Sequence, residues 1–310
     1  MWHYEKAKQI IEEVTKVFVG KDEVVENIII CLLAGGHVLL EDVPGIGKTT
    51  LAKCLTQVIK CSFGRIQFTP DTLPGDVVGV SVYNMKTGEF EYRKGPVMNH
   101  ILLADEINRT SPKTQASLLE AMSENQVTVD EAVYNLKQPF MVIATQNPIE
   151  YLGTYSLPEA QMDRFMMRLT IGYPDREQEM KMASQFLEGI TIDKIHPVCD
   201  AAGIEEIKRA VEKVTVKENV LEYIEDMIGL TRNEKRFVVG ASPRAMIALI
   251  RASQAKAFLD GRDFVKPDDV KNVAMQVLLH RLILSTEAKI GKEDCAAILK
   301  SLIVKARIPV

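Results

Sequence analysis

The stretch His37-Val38-Leu39-Leu40-Glu41-Asp42-Val43-Pro44-Gly45-Ile46-Gly47-Lys48-Thr49-Thr50 decides how this chain folds. His37–Leu40 is a short, nearly all-apolar run that suits a strand buried on both faces. A glycine-bearing loop follows, and Thr49–Lys60 has helical spacing. In a strand–loop–helix of this kind the glycines let backbone N–H groups close on phosphate oxygens, and the helix N-terminus favours the negative charge. Lys48 would reach the β- and γ-phosphates and the Thr49 hydroxyl would ligate Mg²⁺. The strict phosphate-loop pattern opens on glycine, and here that position is Asp42. The Gly-Lys-Thr triplet carries little information alone, so the reading depends on what surrounds it.

Outward from this stretch, short apolar runs alternate with helical patterns. Candidate strands are Arg65–Phe68, Ile101–Asp105, Phe140–Thr145 and Met167–Ile171, with Pro112–Ser123 among the helices between them. Such alternation predicts a doubly wound α/β layer with a parallel sheet. Val78–Tyr83 with Glu89–Arg93, and Gln126–Asp130 with Val133–Leu136, read as two hairpins, either inserted into the layer or serving as its edge strands. After Gly172-Tyr173-Pro174 the pattern turns helical, at Ile204–Thr215, Lys217–Thr231, Pro243–Leu259 and Pro267–Leu284. The expected organisation is a nucleotide-binding core over 1–174 and a small all-helical lid over 175–310.

The bulk composition excludes several classes. The 310 residues are 46% apolar and 26% charged, with a net charge of −4. That is a globular mix without the basic surface of a nucleic-acid binder. The longest apolar run, Ile28 to Ala34, falls far short of the roughly 20 residues that a membrane-spanning helix needs. The beginning Met1-Trp2-His3-Tyr4-Glu5-Lys6 lacks the pattern of a signal peptide. Five cysteines, at 31, 54, 61, 199 and 295, show no metal or redox spacing. A cytoplasmic protein with reduced cysteines and no membrane insertion is expected.

Strand ends supply the context for the loop. Ile101–Ala104 leads to Asp105-Glu106, which puts Asp105 where it can hold the Mg²⁺ shell and Glu106 where it can polarise a water, unless the pair is an ordinary solvated strand end. Phe140–Thr145 leads to Gln146-Asn147-Pro148, where Asn147 could orient that water or serve only as a turn signal. Ligands of open α/β sheets gather at the carboxyl ends of strands, where all three features fall. Arg164 falls just before the last strand and Arg168 within it, and either could point at a neighbouring subunit's γ-phosphate. Ser242 and Pro243 begin a helix whose first turn holds Arg244. A cation there opposes the helix dipole, which suits a nucleotide phosphate held under the helical region. The histidines at 3, 37, 100, 196 and 280 have no partners at metal-ligand spacing.

In order along the chain, Glu41–Thr49, Phe68-Thr69-Pro70-Asp71, Leu73-Pro74-Gly75-Asp76, Ala104–Arg109, Ala144–Glu150 and Tyr155–Phe165 resemble the MoxR family of AAA+ ATPases. The likeness is close from Val19 to Pro174 and looser beyond. The resemblance implies a Walker A loop at Asp42–Thr49, including Pro44, Gly45, Ile46 and Gly47 and followed by Thr50, with Asp usual at its first position. It implies Walker B at Asp105 and Glu106, sensor 1 at Asn147, the arginine finger at Arg164 and sensor 2 at Arg244. Val19 and Gly20 resemble the stretch bordering the adenine, and the hairpins resemble the helix-2 insert and the pre-sensor-1 hairpin. Family membership also implies ATP hydrolysis with Mg²⁺, a hexameric ring and chaperone-like remodelling, often with von Willebrand A-domain partners. Two other functions fit the same residues: the motor subunit of a magnesium-chelatase-like complex, and a nucleotide-gated binding module with little turnover.

Overall fold

The computed structural model describes residues 2–43, 45–147 and 155–308. Helices α1 (Trp2–Val17) and α2 (Asp22–Leu33) lead into strand β1 (Val38–Glu41) and helix α3 (Lys48–Val58). Then come β2 (Phe63–Gln67), α4 (Pro74–Val78), β3 (Gly79–Asn84), β4 (Glu89–Lys94), β5 (Ile101–Asp105) and α5 (Pro112–Glu124). After β6 (Gln126–Val129), β7 (Ala132–Asn135), β8 (Met141–Gln146), α6 (Glu159–Met162) and β9 (Met167–Leu169), the chain is mainly helical. Helices α7 (Arg176–Leu187), α8 (Ala201–Glu212), α9 (Glu218–Asn233), α10 (Pro243–Leu259), α11 (Pro267–Leu278), α12 (Thr286–Ile290) and α13 (Cys295–Lys305) follow, with strands β10 (Phe237–Val239) and β11 (Ile283–Leu284) among them.

Five strands form one parallel sheet in the order β2-β5-β8-β1-β9. Their side chains alternate between two apolar layers, as the two-residue repeat of a strand requires. Val38, Leu40, Ile101, Leu103, Met141 and Ile143 face one layer, while Leu39, Leu102, Ala104, Val142 and Ala144 face the other. The first layer continues without a break into α8, α9, α10, α11 and α13, through residues such as Ile204, Tyr223, Leu249, Val273 and Leu299. The C-terminal helices are therefore seated on α1, α2 and β9. The chain leaves β1 for the far edge at β2, returns through β5 and β8, and crosses β1 to reach β9. In the chain β1 is followed by β2 on one side and β8 by β9 on the other, a switch point of the kind whose crevice lies at the strands' carboxyl ends.

Three expectations are refined. Strands β3–β4 and β6–β7 are separate antiparallel pairs, so neither hairpin is an edge of the main sheet. Tyr92 and Tyr134 stack at 4.1 Å and join the two hairpins. The lid region is not all helical: Phe237 pairs with Leu284, and Val239 with Ile283. The helix expected over Pro267–Leu284 accordingly ends at Leu278, because Ile283 and Leu284 serve that pair instead. Among the described residues no helix is long and apolar enough to cross a membrane.

His37, without a partner in the sequence, is bonded at both nitrogens. Its Nδ1 accepts the Val142 N–H at 3.0 Å, which leaves the proton on Nε2 to reach the Met122 carbonyl at 3.1 Å. Burial lowers its pKa to about 4. The unfolded chain therefore binds a proton that the folded chain refuses, and His37's contribution is present above about pH 6.5 and lost as the pH falls towards 4. Acidification from pH 7 to 5 should cost about 2 kcal/mol through this residue. His37→Gln supplies an acceptor and a donor but no titration, so urea denaturation should show a shallower pH slope for the variant; equal slopes would remove His37 as the cause.

Candidate functional site

The phosphate-loop residues take the backbone that their glycines permit. Gly45 and Gly47 have φ of +89° and +92°, a region glycine enters at little cost. Gly47 precedes α3 as its N-cap and has no side chain to cap the helix, so the first N–H groups of α3 are left for another acceptor. Lys48 Nζ donates to the Asp42 carbonyl oxygen at 2.7 Å. Burial pulls the Lys48 ammonium below its ordinary pKa, against the opposing pull of Asp42, Asp105 and Glu106. Pro44 lies outside the described residues, as do Pro148, Ile149 and Glu150 after Asn147.

Asp42 has a structural use for its carboxylate. The side chain is buried, and its two oxygens accept the N–H groups of Gly172, at 3.0 Å, and Ile171. The start of the loop is thereby tied to the chain leaving β9. A glycine at this position could not make either bond.

The acidic pair is held by residues that sequence reasoning passed over. The Thr145 hydroxyl accepts the Glu106 N–H at 2.8 Å and donates to Asp105 Oδ1 at 2.7 Å. Arg65 Nη2 lies 2.9 Å from Asp105 Oδ2, and Arg109 Nη1 lies 3.0 Å from Glu106 Oε2. The signal for Thr145 was a hydroxyl inside an otherwise apolar strand. Arg65 had none, because its pairing depends on β2 lying beside β5. Glu106 has φ +58° and ψ +49°, a left-handed conformation that costs a residue with a Cβ roughly 1–3 kcal/mol.

Two adjoining cavities meet at Gly45 and Gly47. The polar one, of about 290 Å³, is bordered by Lys48, Thr49, Asp105, Glu106 and Asn147. The larger, of about 460 Å³, has apolar walls that include Phe18, Val19, Ile46, Ile171 and Met182, with Thr50 also on its edge. Gly20 is turned to another use: its carbonyl accepts from Gln178 Nε2 at 2.8 Å, and a Cβ there would collide with the Gln178 side chain. Thr49 and Asp105 offer hard oxygen donors of the kind Mg²⁺ prefers. The guanidinium of Arg65 already stands on Asp105 as a cation would.

Arg164 and Arg244 do not join this cleft. Arg164 Nη1 donates to the Leu119 carbonyl, and Arg244 Nη1 lies 3.7 Å from Asp163 Oδ2. Both border a third cavity, of about 200 Å³, with His37, Arg251 and Arg281. His37 immediately precedes β1, so this cavity lies at the amino ends of the strands, opposite the phosphate loop. Arg244, read as facing a nucleotide phosphate, stands away from its own chain's loop: α10 packs against α2, α9 and α11, which carries its first turn to the amino ends of the strands. Ser242 caps α10 as expected, accepting the Ala245 N–H at 3.1 Å. Arg168 Nη1 pairs with Glu41 Oε2 at 3.1 Å, at the end of β1.

Comparison with known proteins agrees with this geometry. Residues 37–167 match the ATPase family associated with various cellular activities (AAA), and residues 229–302 match the AAA lid domain. The chain is 48% identical to the uncharacterized protein YeaC of Bacillus subtilis, over 97% of this chain and 94% of that one. It is 38% identical to Chaperone MoxR1 of Mycobacterium tuberculosis, over 91% of this chain and 76% of that one. A crystal structure of a Cytophaga hutchinsonii protein, provisionally named an ATPase, superposes with a TM-score of 0.92 at 39% identity, covering 100% of this chain and 96% of that one. With its parallel sheet, phosphate loop and helical lid, this chain belongs to the MoxR family of AAA+ ATPases.

Proposed function

We propose that this protein binds ATP with Mg²⁺, hydrolyses it at a site completed by a second copy of the chain, and uses the cycle to remodel partner proteins in the cytoplasm. The observation that carries the reading is the meeting of Lys48, Thr49, Asp105, Glu106 and Asn147 in one cavity beside an apolar pocket. In this reading the loop N–H groups and Lys48 cradle the phosphates, and the base lies against Val19 and Ile46. Thr49 and Asp105 would hold Mg²⁺, which would neutralise charge on the phosphates. Glu106 polarises the attacking water and Asn147 orients it. The core spans 1–174 and the lid 175–310.

Arg164 and Arg244 are assigned to the neighbour's nucleotide, since both lie at the far end of the sheet from their own loop. Arg168, occupied by Glu41 beside the loop, is the weaker candidate for the finger. Remodelling is suggested by the mycobacterial relative, which is named a chaperone. A hexameric ring and a von Willebrand A-domain partner are proposed from the family, and nucleic acid is not among the expected ligands.

Lys48→Ala should abolish binding of a fluorescent ATP analogue. Glu106→Gln should bind it normally yet lose turnover by roughly 10²-fold or more. Equal hydrolysis by Glu106→Gln and the parent protein would remove Glu106 as the water-polarising group.

Specific activity should rise with protein concentration, and Arg164→Ala should lower it by roughly 10³-fold. Mixing Arg164→Ala with Glu106→Gln should recover turnover, because the first has an intact cleft and the second an intact finger. No recovery in mixtures shown to co-assemble would overturn the shared site.

Glu106→Gly relieves the left-handed backbone and gives up only an ion pair worth about 0–1 kcal/mol. Its melting temperature should therefore be unchanged or raised while activity is lost. A fall of several degrees would refute backbone strain at this position.

A further inference from the structure

The cavity at the amino ends of the strands is bordered by four arginines, Arg164, Arg244, Arg251 and Arg281, and by Asp163. The Asp163 carboxylate has three partners from the lid region. The Ser242 hydroxyl lies 3.1 Å from each of its oxygens, Arg281 Nε donates to Oδ1 at 2.7 Å, and Arg244 Nη1 lies 3.7 Å from Oδ2. Arg281 is buried and spends its other donors on the carbonyls of Asp163, Phe165, Met166 and Val277. A buried guanidinium needs such partners, and losing its carboxylate leaves an uncompensated charge.

The three partners are held unequally. Arg281 and Ser242 are within hydrogen-bond distance, whereas Arg244 is further off and its side chain is 57% exposed. Arg244 also stands in the first turn of α10, where the helix dipole favours an anion. Asp163 supplies that anion at rest, yet loosely enough for a phosphate with its several oxygens to draw the guanidinium away. Arg164, the next residue, shares the backbone that Arg281 fastens.

We propose that Asp163 is a positioning residue that sets the spacing between Arg164 and Arg244, so that both meet one phosphate group carried by a second copy of the chain. It does not itself touch that phosphate. The inference rests on the shared-site reading given under Proposed function. It adds that the shared site depends on an acidic residue of the subunit that lends the arginines.

The test is Asp163→Asn in the full-length protein, which keeps the side-chain shape and removes the charge. ATP-analogue affinity should be unchanged, and kcat should fall roughly 10–100-fold, the scale of a reacting group displaced by about an ångström. Turnover should return when Asp163→Asn is mixed with Glu106→Gln, whose arginines are intact. Arg164→Ala mixed with Glu106→Gln runs alongside. If that mixture is not rescued, the shared site fails. If it is rescued while Asp163→Asn alone keeps its full kcat, only the role of Asp163 is overturned, and an impaired Asp163→Asn that mixing cannot rescue overturns it as well. Should Asp163→Asn not fold, Ser242→Gly removes one tether, leaves every charge in place and keeps a residue that caps helices at only a small cost. A several-fold loss of kcat rescued by the same mixing is then expected, and an undiminished or unrescued rate overturns the proposal.

Discussion

A buried carboxylate, that of Asp42, fixes where everything else in the cleft can stand. Its two oxygens take the N–H groups of Ile171 and Gly172, and its own carbonyl takes the Lys48 ammonium. Two polar backbone groups would otherwise lose water without a partner, at about 1–3 kcal/mol each. The bonds fasten the loop after β1 to the exit of β9, the segment that leads into α7. The residue that holds Lys48 is thus hydrogen-bonded to the segment that leads into α7. Gln178 of α7, bonded to the Gly20 carbonyl, closes the same arrangement from the other side.

The acidic pair is arranged by the same means on the neighbouring strands. Thr145 of β8 serves Glu106 as acceptor and Asp105 as donor. One hydroxyl therefore orients two carboxylates by holding the backbone of one and the side chain of the other. Arg65 and Arg109 balance the charge from opposite sides. With Lys48 desolvated nearby, the cleft concentrates charges of both signs where the surrounding apolar layers weaken the screening by water.

Much of this was legible because it is local. The alternation of apolar runs with helical periods located all five strands of the main sheet, and Ser242-Pro243 marked the start of α10 to the residue. The glycines of the loop marked where the backbone could close on an anion, and Gly45 and Gly47 take positive φ there. What the sequence hid depends on which strand lies beside which. Thr145 meets Asp105 only because β8 pairs with β5, and Arg65 meets it only because β2 lies on β5's other side. His37 looked solitary until β1 placed it against Val142. Arg244 reads as facing a nucleotide phosphate, and the dipole argument identifies an anion site without saying whose anion. Only the packing of α10, with its first turn at the amino ends of the strands, separates its own loop from a neighbour's. The pairing of β10 with β11 was hidden for the same reason, since each strand is too short to show a period.

Because the five strands of the sheet all point one way, the two ends of this molecule are unlike: the carboxyl ends open on the cleft and the amino ends on the arginine cavity. An assembly that joins one to the other must use two different surfaces at each contact. Where that contact is not returned by the same neighbour, it is heterologous and lies outside two-fold symmetry. Copies joined in this manner repeat with a single sense, as a closed circle or an unending fibre. Each copy then has a distinct neighbour before it and another after it, which gives the assembly a direction of travel that no symmetric pair possesses.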